Sequence, residues 1–270
     1  MARWSAYDKR VISQVKEILS GELNGKLSAY CTHVKHHGGV KKSLRLLTWV
    51  IPEFRYAARF DVARYYESID HAGLLNQLKK LQVSQHNQDI VQQYLALPDR
   101  RNFGKGMIAG GSLSPLLGAV LLTPLDKTME AEIRTERVWY IRYMDDFVLL
   151  AKTRHQFRKA IKQVHTVMRQ LKLMLHKEQK CFIGKTETGF DFLGYQVCPN
   201  QRLHPSALMS SGLDNARSRC FSPLVYPANN LKVSLTLTLI DIFNLQSSEF
   251  FDRRPNQFER INIPIFRVAW

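Results

Sequence analysis

Two short, largely apolar runs, residues 139–143 and 147–151, flank Met144-Asp145-Asp146, and this is the feature that most restricts what the chain can fold into. Runs of this length and composition read as strands. The pattern therefore predicts two adjacent strands with a pair of aspartates at the hairpin tip. Residues 56–62 read as another strand, with Asp61 near its end. Two carboxylates side by side at a strand junction repel each other, and a divalent cation relieves that cost. Asp-Asp pairs are also common in ordinary exposed turns. What separates the cases is the third acid, because strand ends that meet in one sheet can cluster Asp61 with Asp145 and Asp146. Two-metal phosphoryl transfer uses such a cluster, one ion activating the attacking oxygen and the other steadying the leaving group.

The rest of the chain alternates helical and extended patterns. Val11, Ile12, Val15, Ile18 and Leu19 recur at helical spacing and predict a helix over about 7–19. A second helix is expected over 41–50, ended by Pro52. Asp70 is a candidate N-cap for a helix carrying Leu74, Leu75, Leu78 and Leu81. A further helix through Ile90, Val91, Tyr94 and Leu95 is closed by Pro98. Residues 104–111 contain four glycines and mark a loop. Ser114 and Pro115 then read as a cap and first helical residue. The helix they open carries Leu116, Leu117, Val120, Leu121, Leu125 and Met129, with a kink or irregular turn at Pro124. Phe157, Ile161, Val164, Met168 and Leu171 line one face of a basic amphipathic helix, and residues 190–197 form a last strand. This order predicts an α+β fold with an antiparallel sheet packed on helices. Beyond about residue 210 the periodicity fails.

At 270 residues and 45% hydrophobic content, the chain is long enough for a substantial core. No apolar run of 18 residues and no signal-peptide pattern occurs, so a cytoplasmic protein without membrane contact is expected. The 39 Lys and Arg outweigh 23 Asp and Glu, a net charge of +16, which suits a polyanionic partner such as nucleic acid. Between residues 152 and 185 there are ten Lys or Arg and one acid, Glu178. A solvated face usually mixes signs, so Arg154, Arg158, Lys159, Lys162 and Arg169 are read as a phosphate-facing set. The four cysteines form no CxxC pair, and a disulfide framework is not expected. Cys31, His33, His36 and His37 invite a zinc reading. No second ligand pair at suitable spacing accompanies them, which favours a polar loop.

Several motifs together resemble one family. Residues 60–71 (FDVARYYESIDH) look like the first palm motif of retron and group II intron-type reverse transcriptases. Residues 110–117 (GGSLSPLL) are similar to their next motif, and Tyr143-Met144-Asp145-Asp146 matches their aspartate box. Lys180 falls where the family has a lysine, and Phe192-Leu193-Gly194-Tyr195 looks like its primer-gripping hairpin. The five motifs occur in the family's order, and the resemblance covers roughly residues 11–206. It implies a right-hand polymerase palm over 56–200, partial fingers over 1–55, and a truncated or degenerate thumb and tail over 201–270.

The resemblance also implies roles. Asp61 and Asp145 would bind two Mg2+ ions (Mn2+ being an alternative), with Asp146 supporting and Val62 offering its carbonyl. Tyr66 falls at the steric gate that selects deoxynucleotides, and Gly110 and Gly111 let backbone approach the incoming nucleotide. Lys180 would protonate the departing pyrophosphate or contact phosphate. Phe192, Leu193 and Gly194 would grip the primer. The implied partners are an RNA template, a DNA or RNA primer and deoxynucleoside triphosphates, and the implied activity is RNA-directed DNA polymerisation. Three features depart from the family: Ala109 stands where a Gln is usual, only 60 residues precede Asp61, and no thumb is recognisable. A truncation or shifted reading frame would explain the last. Two other readings stay open. One is an inactive nucleic-acid-binding remnant; the other is an RNA-dependent RNA polymerase, against which Tyr66 argues.

Overall fold

The first strand, β1 (Tyr56–Asp61), alternates its side chains between two buried layers, and this places it inside a sheet rather than at a surface. The computed structural model describes residues 6–97, 103–176, 181–198 and 203–205. The chain divides into two units, Met1–Arg217 and Ser218–Trp270, and the second lies outside the described residues. In the first, β2 (Val138–Tyr143), β3 (Asp146–Ala151), β1 and β4 (Phe182–Lys185) form an antiparallel sheet in the order β2-β3-β1-β4. The apolar runs on either side of the aspartate pair are thus paired, as expected. They meet through a two-residue turn, Met144-Asp145, with Tyr143 opposite Asp146.

The sheet has two unlike faces. Tyr56, Ala58 and Phe60 of β1 share one face with Tyr140 of β2 and with Phe147, Leu149 and Ala151 of β3. Helices cover this face: α7 (Thr123–Ile133) packs on β2, and α8 (Arg154–Gln170) on β1, β2 and β3. Ala57, Ile141, Val148 and Leu150 point the other way into a smaller core. That core also takes Leu44, Leu47 and Val50 from α2 (Gly39–Val50), and Phe190, Phe192 and Val197 from a second sheet. The second sheet is formed by β5 (Phe190–Phe192), β6 (Tyr195–Val197) and β7 (Leu203–Pro205).

The helices follow the sequence pattern with local differences. α1 (Ala6–Glu22) and α2 are both a little longer than expected. α4 (His71–Lys80) begins where Asp70 accepts a hydrogen bond from the Gly73 N–H at 2.9 Å, confirming that cap. α3 (Tyr65–Ser68) is a single turn, and α5 (Gln85–Ala96) matches the expected helix. The kink or irregular turn expected at Pro124 is a turn at Leu122 that divides the run into two helices, α6 (Ser114–Leu121) and α7, with Pro124 in the first turn of the latter. Proline lacks the N–H that would continue the first helix and is tolerated where a new one starts. Leu113, not Ser114, occupies the cap of α6. The Ser114 hydroxyl instead donates to the Ile108 carbonyl and meets the Tyr94 hydroxyl, pinning the glycine-rich loop. The single strand expected over 190–197 is a hairpin, its turn residues Leu193 and Gly194 both at positive φ (50° and 83°). Turns of that geometry suit the twist of adjoining strands. Strand β4 was not anticipated.

Candidate active site

Asp61 and Asp146 are direct cross-strand partners at one end of β1 and β3, and Asp145 occupies the adjoining turn. The side-chain alternation puts Arg59, Asp61 and Asp146 on one face, the same that carries Ala57 and Val148. Arg59 grips Asp146 with two hydrogen bonds, Nε to Oδ1 at 2.9 Å and Nη2 to Oδ2 at 2.8 Å. Despite this partner, burial pushes the Asp146 carboxyl up to about 6. Arg59 opposes the shift, and the neighbouring Asp61 and Asp145 add to it. The three acids therefore sense one another, as clustered carboxylates do. Among the described residues, however, no three His, Cys, Asp or Glu side chains converge tightly enough to hold a metal ion. Asp146 is turned toward Arg59, whose fork matches a carboxylate well. As for a fit to a hard divalent ion, the donors on these neighbouring strand ends are all oxygen, the ligand type such an ion takes.

The turn that carries Asp145 is held from both sides. Met144, at φ 58°, lies in the left-handed region that side chains seldom adopt. Its N–H donates to His33 Nδ1 at 2.9 Å, and its carbonyl accepts from Arg142 Nη1 at 2.8 Å. With Nδ1 accepting, the His33 proton sits on Nε2, which reaches the Pro115 carbonyl at 3.0 Å. Burial, then the nearby Arg142 charge, lowers the His33 pKa to about 4, so the ring stays neutral. Arg142 is itself fully buried on the helix face and forms a two-point ion pair with Asp126 of α7, Nε to Oδ1 at 2.8 Å and Nη2 to Oδ2 at 2.5 Å. Tyr140 donates to the same Asp126 at 2.9 Å. A loop from the N-terminal part closes the assembly: Arg142 N–H donates to the Tyr30 carbonyl, and Thr32 N–H to the Arg142 carbonyl.

This arrangement disposes of zinc at the Cys31–His37 run. Cys31 is fully buried, and burial drives its thiol up to about 12. Both His33 nitrogens are engaged, and His37 Nδ1 bonds the Cys31 carbonyl at 2.9 Å. The run is the loop that secures the aspartate turn.

The remaining expected positions divide. Tyr65 is buried, donating its hydroxyl to the Gly118 carbonyl at 2.6 Å, while the adjacent Tyr66 is half-buried. The Tyr66 hydroxyl is raised to about 12, mainly by burial and next by the Asp145 charge, and its ring packs on Tyr65 at 5.5 Å. Val62 is buried and bridges to Leu175, and the Asp61 carbonyl accepts from the His176 N–H at 2.8 Å. Gly110, at φ 78°, is exposed, and Gly111 is buried at the entry to α6. Leu193 and Gly194 form a turn, but Phe192 is fully buried in the smaller core and presents no ring to a primer. Arg154, Arg158, Lys162 and Arg169 are exposed on α8, across the sheet from the Asp61–Asp146 face. Lys159 is drawn aside into an ion pair with Glu132 at 2.9 Å. Lys180 lies outside the described residues.

Sequence reasoning passed over Arg59, Asp126 and Arg142, and weighed His33 only as a zinc ligand. Arg142 offered a signal: a lone cation inside the apolar run 139–143 needs a buried acid. Nothing local marked Asp126 as that acid.

A four-stranded antiparallel sheet backed by helices, with acids at its strand ends, is the palm fold of a polymerase. The chain belongs to the reverse transcriptase (RNA-dependent DNA polymerase) family, whose model matches residues 9–197. No curated protein sequence matches it. Among solved structures it is similar to apo telomerase from Candida tropicalis, at 12% identity and a TM-score of 0.56, over 73% of this chain and 40% of that one. It is also similar to Candida albicans telomerase in complex with a fragment of telomeric RNA, at 16% identity and a TM-score of 0.53, over 73% and 38%. At such identities the likeness concerns the fold. The chain spans about two fifths of the length of these telomerase chains.

Proposed function

We propose that the chain is an RNA-directed DNA polymerase of the retron or group II intron type, extending a DNA or RNA primer with deoxynucleotides on an RNA template. The observation that carries this reading is the meeting of Asp61 and Asp146 across β1 and β3 with Asp145 in the adjoining turn. In this reading residues 1–55 contribute partial fingers and 56–200 the palm. Asp61, Asp145 and the Val62 carbonyl would hold two magnesium ions, with Asp146 in support. Magnesium, when bound, supplies charge stabilisation to the attacking and departing oxygens. The protein's own part is to keep the acids in register on rigid strands and to restrain Asp145 through Met144. In this reading Tyr66 packs against the deoxyribose.

A second reading, a nucleic-acid-binding remnant, is favoured by one observation: Asp146 is committed to Arg59 and no three acids converge among the described residues. Primer extension on an RNA template separates the two. The polymerase reading expects magnesium-dependent incorporation that Asp145→Asn and Asp61→Asn abolish without unfolding the protein. Binding of primer–template with no incorporation under any divalent ion would establish the remnant instead.

A further inference from the structure

Helix α8 contains Arg154, Arg158, Lys159, Lys162 and Arg169 and no acidic residue. At about 100° per residue, Arg154, Arg158, Lys162 and Arg169 fall within one arc of roughly 80°, together with His165. All five are exposed. The row from 154 to 169 is about 22 Å long at 1.5 Å per residue. The three other cations between residues 152 and 172 have acid partners: Lys152 with Glu53, Lys159 with Glu132 and Lys172 with Asp70. Arg154, Arg158, Lys162 and Arg169 form no ion pair among the described residues. The helix turns its apolar side, Phe157, Ala160, Val164, Val167 and Met168, into the core against the sheet. The row runs along the flank of the helix, with His165 edge-on to Phe60 at 6.1 Å, and its four cations are exposed on the side of the sheet opposite Arg59, Asp61 and Asp146.

We propose that the outer face of α8 is a second nucleic-acid site, which holds single-stranded template RNA away from the acids. The inference rests on the polymerase reading for the identity of its ligand. Three of the four cations are arginines, whose planar forks bind phosphate oxygens in pairs. The lack of interleaved acids leaves the field unopposed along the row. An anionic membrane is the other polyanion to consider. A helix that binds lipid inserts its apolar side, and here that side is buried in the protein core. The distance between the two faces gives the site a distinctive property: a strand confined to the acid face cannot reach it, whereas a longer one can.

The test compares two substrates on the whole chain, a blunt primer–template and the same duplex with a long single-stranded RNA tail on the template. The variant is R154Q/R158Q/K162Q/R169Q, in which Gln preserves helix propensity and matched melting curves verify the fold. For the wild type, the tail should tighten binding and steepen the salt dependence. In the variant the gain from the tail should vanish, and the log–log salt slope for the tailed substrate should fall by about 3, four contacts at about 0.7 each. Equal affinity and slope for wild type and variant on the tailed substrate would overturn the proposal. So would an equal loss on blunt and tailed substrates, or charge-dependent binding to anionic vesicles with none to the tail. These are binding measurements, so they stay readable if the wild type extends no primer. That outcome would count against the polymerase reading alone.

Discussion

Replacing His33 tests whether the aspartate turn depends on the loop that braces it. His33→Ala deprives the Met144 N–H of its acceptor and the Pro115 carbonyl of its donor. An unmade bond at a buried group costs about 1–3 kcal/mol. The ring is not wholly shielded, so water can partly replace it and the lower end applies, about 2 kcal/mol for both groups. For a unit of this size that corresponds to a fall in Tm of about 4–8 °C. The same 2 kcal/mol, if lost from the geometry of Asp145 in the transition state, lowers kcat about 30-fold. His33→Asn keeps an acceptor near the position of Nδ1 and should recover part of both losses. The assay is thermal melting alongside single-turnover incorporation at saturating primer–template. If His33→Ala melts with the wild type and keeps its rate, the contacts at Met144 carry nothing and the reasoning fails.

The pKa of His33 adds a signature in metal-free buffer. Its folded value, about 4, lies below the ordinary 6.5, so its neutral form is what the fold stabilises. Its contribution is complete above about pH 6.5 and is lost as pH falls toward 4, by at most about 3 kcal/mol. Asp146 runs the opposite way. Its folded value, about 6, lies above the ordinary 3.8, so it costs nothing below pH 3.8 and destabilises increasingly as pH rises to 6. Over the shared window the two slopes offset each other. Denaturation of His33→Asn across pH 4–6 should therefore show stability falling with pH more steeply than in the wild type. Parallel profiles would refute this assignment.

Other outcomes follow from the same geometry. Asp126→Asn leaves the Arg142 charge buried without its counter-ion and should cost about 3–5 kcal/mol in chemical denaturation. Asp126→Leu with Arg142→Met should cost less, and equal losses would argue against the buried pair. Removing charge repulsion with Asp61→Asn should leave stability without magnesium unchanged or higher. A large destabilisation would mean that Asp61 serves the fold. Tyr66→Ala should admit ribonucleotides with a smaller loss of deoxynucleotide use, measured separately on one primed RNA template. Retained discrimination would show that Tyr66 is only a packing residue, as Tyr65 is.

The acids and their strands were legible in the sequence because their signals are local. An apolar run of strand length, a two-residue interruption and a carboxylate at the end of β1 need only the side-chain period of two to be placed on a sheet. The Asp70 cap and the paired helices α4 and α5 were legible for the same reason. Their stop and start signals lie within a few residues of the elements they bound. Phe192 went astray because a hairpin tip and a core position look alike until the second sheet folds over α2. The cation row of α8 was evident as composition, yet its place across the sheet from Asp61 depends on which side of α8 packs on Phe60 and Phe147.

The family, the antiparallel pairing around Asp145 and Asp146, and the basic character of residues 152–185 are all written in local residue order. Which charges meet depends on packing between distant segments. Asp126 pairs with Arg142 across 16 residues, Arg59 with Asp146 across 87, and His33 reaches Met144 across 111. Such partners are selected by burial, since a charge or an N–H removed from water must find its complement wherever the packed chain brings one. No pattern of neighbours along the chain carries that information.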